Sequence, residues 1–200
     1  MNNMKLKTKD YIFLGIITAL NTALYIIVTM SLYAIGTGPF VHTISPGIYG
    51  VIGGTVITFL SNKCGKKWVF TISSIIMMAI MSLASGAYLP WIITSIIGAI
   101  IADLICSKAG YTNKIALGVS YGFMQVGQAL GGIIPVWFFV DSYIDTWVKR
   151  GMTKEMMAEM VNATKGIMGV YAVIVVFILS FSGVMIGSKI LKKHFEKLQN

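Results

Sequence analysis

Charge is what this sequence has least of. Only 12% of its 200 residues are Asp, Glu, Lys or Arg, about half the fraction usual in a soluble domain. Acids are scarcer still, seven against sixteen Lys and Arg. His42, His194, Cys64 and Cys106 complete the stock of histidine and cysteine. There is no histidine pair, no His-x-Glu-His zinc motif, no Walker glycine loop and no Gly-x-Ser-x-Gly elbow. A membrane hydrolase or phosphotransferase needs paired acids, or a nucleophile with its base. The chain is therefore expected not to be an enzyme, and no metal site is expected. Cys64 and Cys106 stand at the ends of apolar runs without metal spacing, on a side read below as reducing, so no disulfide is expected. Proton-coupled carriers bury relays of ionisable groups, whereas Asp103 is the one acid inside an apolar run.

What the chain has instead is apolar length: 56% of it is hydrophobic, with a mean hydropathy of +0.79. Six apolar segments, at about residues 11–35, 46–60, 68–87, 90–106, 115–139 and 167–190, predict a single all-α integral membrane domain over 1–200 with six transmembrane helices. The first segment is too long for a signal h-region and lacks a small-x-small cleavage site, so it reads as a retained helix. The second, opened by Ser45-Pro46-Gly47, falls short of a ~30 Å core. It must begin earlier, near Phe40, or leave part of its span to a buried loop.

Lysine and arginine give the orientation. Twelve of the sixteen lie on one side: Lys5, Lys7 and Lys9; Lys63, Lys66 and Lys67; Lys108 and Lys114; Lys189, Lys192, Lys193 and Lys197. The other four, Lys149, Arg150, Lys154 and Lys165, share a loop with four acids. Both termini are therefore expected in the cytoplasm, with the chain in the plasma membrane. The net charge of +9 follows from this topology and does not point to nucleic acid. The last outer loop, 140–165, is long for a connection. A short amphipathic helix is predicted over 153–163, with Met152, Met156 and Met160 on one face and Met157 nearby, as a lid or a lipid contact.

Within the spans the polarity is neutral. Gln125 and Gln128 share a face of the fifth helix with Tyr121, and Asn21 lies on the first. An amide in hydrocarbon is costly unless hydrogen-bonded, so these either tie helices together or line a substrate cavity. Tyr33, Phe40, His42 and Tyr49 cluster about an uncharged outer loop, as belt residues or as the wall of an outward pocket for a planar or aromatic ligand. Tyr33, His42, Tyr49, Gln125 and Gln128 are thus the candidate ligand contacts. Asp103 reads as a hydrogen-bond acceptor at the cytoplasmic edge. Gly15, Ala19 and Ala23 recur every four residues, forming a shallow strip flanked by Thr18 and Thr22 where another helix can approach closely.

Six spans, both termini inside, about 200 residues and the Ala19-x-x-x-Ala23 motif resemble the substrate-binding (S) components of energy-coupling factor (ECF) transporters, the vitamin-type ABC importers. Across essentially the whole chain the sequence is most similar to the MptD-type, or Trep_Strep, group of such components. The resemblance implies a non-enzymatic subunit that captures a micronutrient from outside. It also implies partners: a transmembrane coupling protein that docks on Ala19 and Ala23, with Gly15 extending the motif, and two ABC ATPases that use the ATP, so that the chain itself needs no cofactor. The pocket residues rest on the reading of the residues alone. That reading favours a neutral or aromatic ligand and leaves haem or a metal chelate open. The alternative from another class is a self-contained homo-oligomeric channel or facilitator, in which the strip packs copy against copy.

Overall fold

The structure, a computed structural model, describes residues 6–197; Lys5 lies outside it, as do the side chains of His194 and Lys197. Among the described residues every regular element is helical: α1 Thr8–Ala34, α2 Pro39–Thr43, α3 Ser45–Cys64, α4 Val69–Ser85, α5 Leu89–Ala109, α6 Lys114–Phe138, α7 Val140–Lys149, α8 Lys154–Thr164 and α9 Ile167–Lys197. Three of them, α1, α5 and α9, are long and apolar enough to cross a membrane, and α6 with α7 makes a fourth that bends by 117° at its break. The 17 residues of α4 reach only about 25 Å at 1.5 Å per residue. Twenty-residue α3 has the length, but Gly47, Gly50, Gly53, Gly54, Asn62 and Lys63 dilute its apolar run.

Local chemistry explains the boundaries. Pro46 and Pro90 sit in the first turns of α3 and α5, where a missing N–H costs nothing. The Asn113 side chain accepts the Ile115 and Ala116 amides to start α6. Pro135 lies in the last turn of α6, and the helix breaks at Phe139. The length missing from the second expected segment comes from its far end: α3 continues to Cys64, with Ser61 and Cys64 both buried, and Pro39–Thr43 forms a separate short helix. The outer loop is likewise ordered. It holds two helices, of which α7 was not expected. Within α8 the buried methionine is Met157, while Met156 is 47% exposed. One turn of the helix places 157, not 156, over Val136 and Tyr143.

Small residues set the closest packing. A Cβ on Gly183 would strike the backbone of Gly50 and Val51, and one on Gly187 would lie 2.6 Å from Thr55 Cα, so α3 and α9 touch backbone to backbone. Gly98 and Gly127 do the same for α5 and α6. This is how helices associate without a hydrophobic drive, by close van der Waals fit. Helix α1 is held differently. It packs on α3 and α4 through Leu14, Thr18, Thr22 and Tyr25. Thr18 and Thr22, expected to flank the small-residue strip, turn into the core, where the Thr22 hydroxyl donates to Thr18 O at 2.8 Å.

The bundle end that carries the N-terminus of α1 is latched by polar contacts. Asp103 on α5 accepts from the Thr71 amide and hydroxyl, both at 2.7 Å, from the Phe70 amide at 3.4 Å and from the Tyr111 hydroxyl at 2.9 Å. It therefore caps the start of α4 from a neighbouring helix, where free amides and the helix dipole both favour a carboxylate. Its role as an acceptor needs all four donors, because a buried carboxylate is stable only when fully hydrogen-bonded. Asp10 pairs with Lys66 at 2.6 Å and accepts the Lys7 amide. Ser61 on α3 donates to Tyr111 O at 2.6 Å.

Asp103→Ala strands those donors and should lower stability by about 2 kcal/mol, the cost of leaving buried donors unpaired. Thermal unfolding in detergent, followed by circular dichroism, reads this directly. Asp10→Asn, which keeps an acceptor for the Lys7 amide and for Lys66, should shift the midpoint far less, and the reverse ranking would remove Asp103 from this role.

Candidate functional site

The polar residues of the spans meet in the middle of the bundle. A cavity of about 30 Å³, within about 520 Å³ of loosely filled space, opens between five helices. Thr18 and Asn21 of α1, Tyr49 of α3, Ser73 and Ser74 of α4, Ser95 of α5, and Tyr121, Gln125 and Gln128 of α6 line it, alongside Met77 and Met124. A volume of that size holds about two waters. Five helices contribute these polar side chains at a similar depth, because neighbouring helices bring their mid-portions together.

Part of this polarity is answered by hydrogen bonds. Gln125 Nε2 donates to the Tyr121 hydroxyl one turn away at 2.7 Å, and the Tyr49 hydroxyl of α3 donates to Asn21 Oδ1 of α1. Tyr25 flanks the Tyr49–Asn21 pair, its ring 5.1 Å from that of Tyr49 and edge-on to it. The rest of the polarity is unanswered. Thr18 Oγ1, Ser73 Oγ, Ser95 Oγ, Gln125 Oε1 and Gln128 Oε1 are buried and have no partner within the protein. Gln128 reaches only the Met77 sulfur, at 3.8 Å.

Three of the five residues expected to contact ligand, Tyr49, Gln125 and Gln128, come together here. Tyr33 and His42 do not line the cavity. Their rings meet edge-on, Tyr33 at the end of α1 and His42 on α2; Tyr33 is 49% exposed and burial pushes the His42 imidazole down to about 4. They share a loop in sequence with Tyr49, but α3 carries Tyr49 inward by one turn while α2 keeps His42 at the rim. The Gly15, Ala19 and Ala23 strip faces away from the cavity: Ala19 and Ala23 are exposed, and a Cβ on Gly15 would meet nothing within 4 Å.

Over the bundle end opposite the Asp103 latch lie α7 and α8. Met157 is buried against Val136 and Tyr143, Thr43 and Thr164 hydroxyls bond at 2.9 Å, and Arg150 donates to Ala87 O at 2.7 Å while lying over the rings of Tyr88 and Trp147. The segment 140–165 is thus tied to α2, α5 and α6.

A family model described as a hypothetical bacterial integral membrane protein (Trep_Strep) matches residues 8–197. The chain belongs to the Trep_Strep family. No curated protein and no solved structure matches it.

Sequence reasoning missed the serines and Thr18 of this Trep_Strep cavity. Their signal was present but faint: Ser73, Ser74 and Ser95 sit within otherwise apolar runs, where a hydroxyl ordinarily bonds back to its own helix. That Ser73 and Ser95 do not is visible only in three dimensions. Taken together, the site offers uncharged acceptors and hydroxyls, with no ionised group among its lining residues. It can bind a compact neutral polar group by hydrogen bonds. It does not present a nucleophile with a base.

The orphaned carbonyls set up a trade between stability and binding. Gln128→Leu removes an unpaired buried acceptor at little change in volume and should leave the ligand-free protein as stable or more stable, by about 1 kcal/mol. Gln125→Leu also cuts the bond to Tyr121 and should destabilise. Thermal unfolding of the two ligand-free variants in detergent separates them; a large loss on Gln128→Leu would mean that its carbonyl already has a partner.

Proposed function

We propose that this integral membrane protein is the substrate-capture (S) subunit of an ECF-type importer, with six spans and both termini in the cytoplasm of the plasma membrane. The observation that carries the reading is the central cavity, where five buried polar atoms lack partners. Such atoms are retained at a cost of about 1–3 kcal/mol each, which a pure packing role does not explain and a neutral ligand would repay. The substrate is a small, uncharged, hydrogen-bonding micronutrient rather than an anion, because no cationic side chain lines the space.

The second support is α1. Its small-residue strip faces outward with its shallow surface unused inside the chain, unlike Gly50, Gly54, Gly98, Gly127, Gly183 and Gly187, which each lie against the backbone of a neighbouring helix. In the proposed complex a transmembrane coupling protein packs on Gly15, Ala19 and Ala23, and two ABC ATPases supply the energy. The basic residues at the Lys66 end and the latch of Asp10, Lys66 and Asp103 fit a cytoplasmic face. The six apolar segments expected from the sequence each overlap one long helix of the fold, and α3 and α4, short or diluted as free spans, are covered by α1, α5 and α9.

The test is co-purification. Ala19→Trp with Ala23→Trp alters an exposed face, so the chain should fold and still retain its ligand, detected by mass spectrometry of the purified protein, while losing its coupling protein. An intact complex would sink the docking role. A tight homo-oligomer of the wild type that these changes dissociate would instead give the strip to self-association, as in a channel.

A further inference from the structure

Beside the polar cavity runs a second space of a different kind. Thr55, Val56 and Phe59 of α3 form its floor, Leu20 and Leu24 of α1 one wall, and Leu191 of α9 closes it. Its volume is about 360 Å³, against about 30 Å³ for the polar cavity. The lining is almost entirely apolar. It is open along α1, where Leu20 is 64% exposed. Three residues, Ile17, Asn21 and Val56, line both spaces, so the groove and the cavity meet at one shared wall.

Size and chemistry divide the work between them. The polar cavity is too small for a whole micronutrient, whereas the groove falls in the range of small-molecule pockets. The cavity carries hydrogen-bonding atoms with no partner; the groove has almost none to offer. Two adjoining spaces, one small and polar and one larger and oily, suit the two ends of a single molecule.

We propose that the captured substrate is an amphiphile. Its compact, uncharged head bonds within the set of Gln125 Oε1, Gln128 Oε1 and the Ser73, Ser95 and Thr18 hydroxyls: a hydroxyl donates to one glutamine carbonyl and accepts from a Ser or Thr hydroxyl, and a primary carboxamide donates to both carbonyls. Its hydrocarbon body lies in the groove between α1 and α9, and it enters sideways from the bilayer past Asn21 and Val56. A charged head is disfavoured, since no counter-charge lines either space and an unpaired buried charge is costly. A headless hydrocarbon gains nothing from the unpartnered atoms beyond the shared wall. This inference rests on the substrate-capture reading and narrows it.

The test uses the full chain in phosphatidylcholine nanodiscs, with a photoactivatable decanol and a photoactivatable decane as probes and peptide mapping by mass spectrometry. The alcohol should label the stretches 20–24 and 55–59 about tenfold more than the alkane, the effect of roughly one or two hydrogen bonds on occupancy. Gln128→Leu should reduce the alcohol to the level of the alkane, in a variant whose unfolding midpoint confirms that it is folded; Ser95→Ala should do so in part. Equal labelling of the wild type by both probes would overturn the inference, leaving the groove to ordinary lipid chains. If that result is accompanied by a water-soluble polar compound retained on purification, the capture reading stands and only the amphiphile falls. If no compound of any kind is retained and the alcohol shows no preference, both fall.

Discussion

A polar atom enclosed by apolar helices has no water to bond, and each must find a partner or cost free energy. The whole arrangement can be followed from how that demand is met at different depths. At the latched end it is met in full. Asp103 is surrounded by four donors, and the result is a fixed joint between α4, α5 and the turn at Tyr111. At mid-depth it is met in part: the Tyr49 hydroxyl donates to Asn21 Oδ1 between α3 and α1, and Gln125 Nε2 donates to the Tyr121 hydroxyl within α6. It is left open for Thr18, Ser73, Ser95 and both glutamine carbonyls. The same chemistry thus makes a staple at one level and the proposed binding site at the next, and the difference is only whether donors and acceptors balance.

Glycine pairs decide how much of the bundle can move. Where α3 meets α9 and α5 meets α6, backbones lie against each other with no side chain between them. Those pairs form a rigid frame, because a close-packed contact of this kind has no intermediate arrangement to relax into. Helix α1 lies against α3 and α4 through threonine, tyrosine and leucine side chains. It carries the exposed residues Ile12, Ile16, Leu20 and Ile27 on its outer face, and it walls both the cavity and the groove.

The helical membrane character, the positions of the long helices and the acceptor role of Asp103 could all be read from residues in one dimension. Each depends on periodicity, run length or the rarity of charge, which are local properties. The outward aspect of Ala19 and Ala23 also followed from Asn21 lying opposite. What could not be read depends on partners distant in sequence. Gln125 and Gln128 were ambiguous between glue and pocket because the answer lies in whether Ser73, Ser95 or Met77 reaches them from other helices. Tyr33 and His42 were grouped with Tyr49 by adjacency, and the short helix α2 separated them. Met156 and Met157 differ by 100° around α8, and only the position of Val136 and Tyr143 chooses between them.

Helix α1 is where the two halves of the proposed function meet. One face gives Thr18 and Asn21 to the polar cavity and Ile17 and Leu20 to its neighbouring spaces; the opposite face carries Ala19 and Ala23. Residues one apart in sequence therefore serve ligand and partner. A helix is stiff over so short a distance, so a displacement imposed at Ala19 is a displacement of Thr18 as well. No chain of intermediate residues is needed to link docking with release, only a rigid body whose two faces see different neighbours. The frame of α3, α5, α6 and α9 supplies the fixed reference for that movement. Tyr49 bonds Asn21 across the gap between the frame and α1, and Lys66 holds Asp10 at the start of the same helix, so a shift of α1 of the kind proposed would have to strain both contacts.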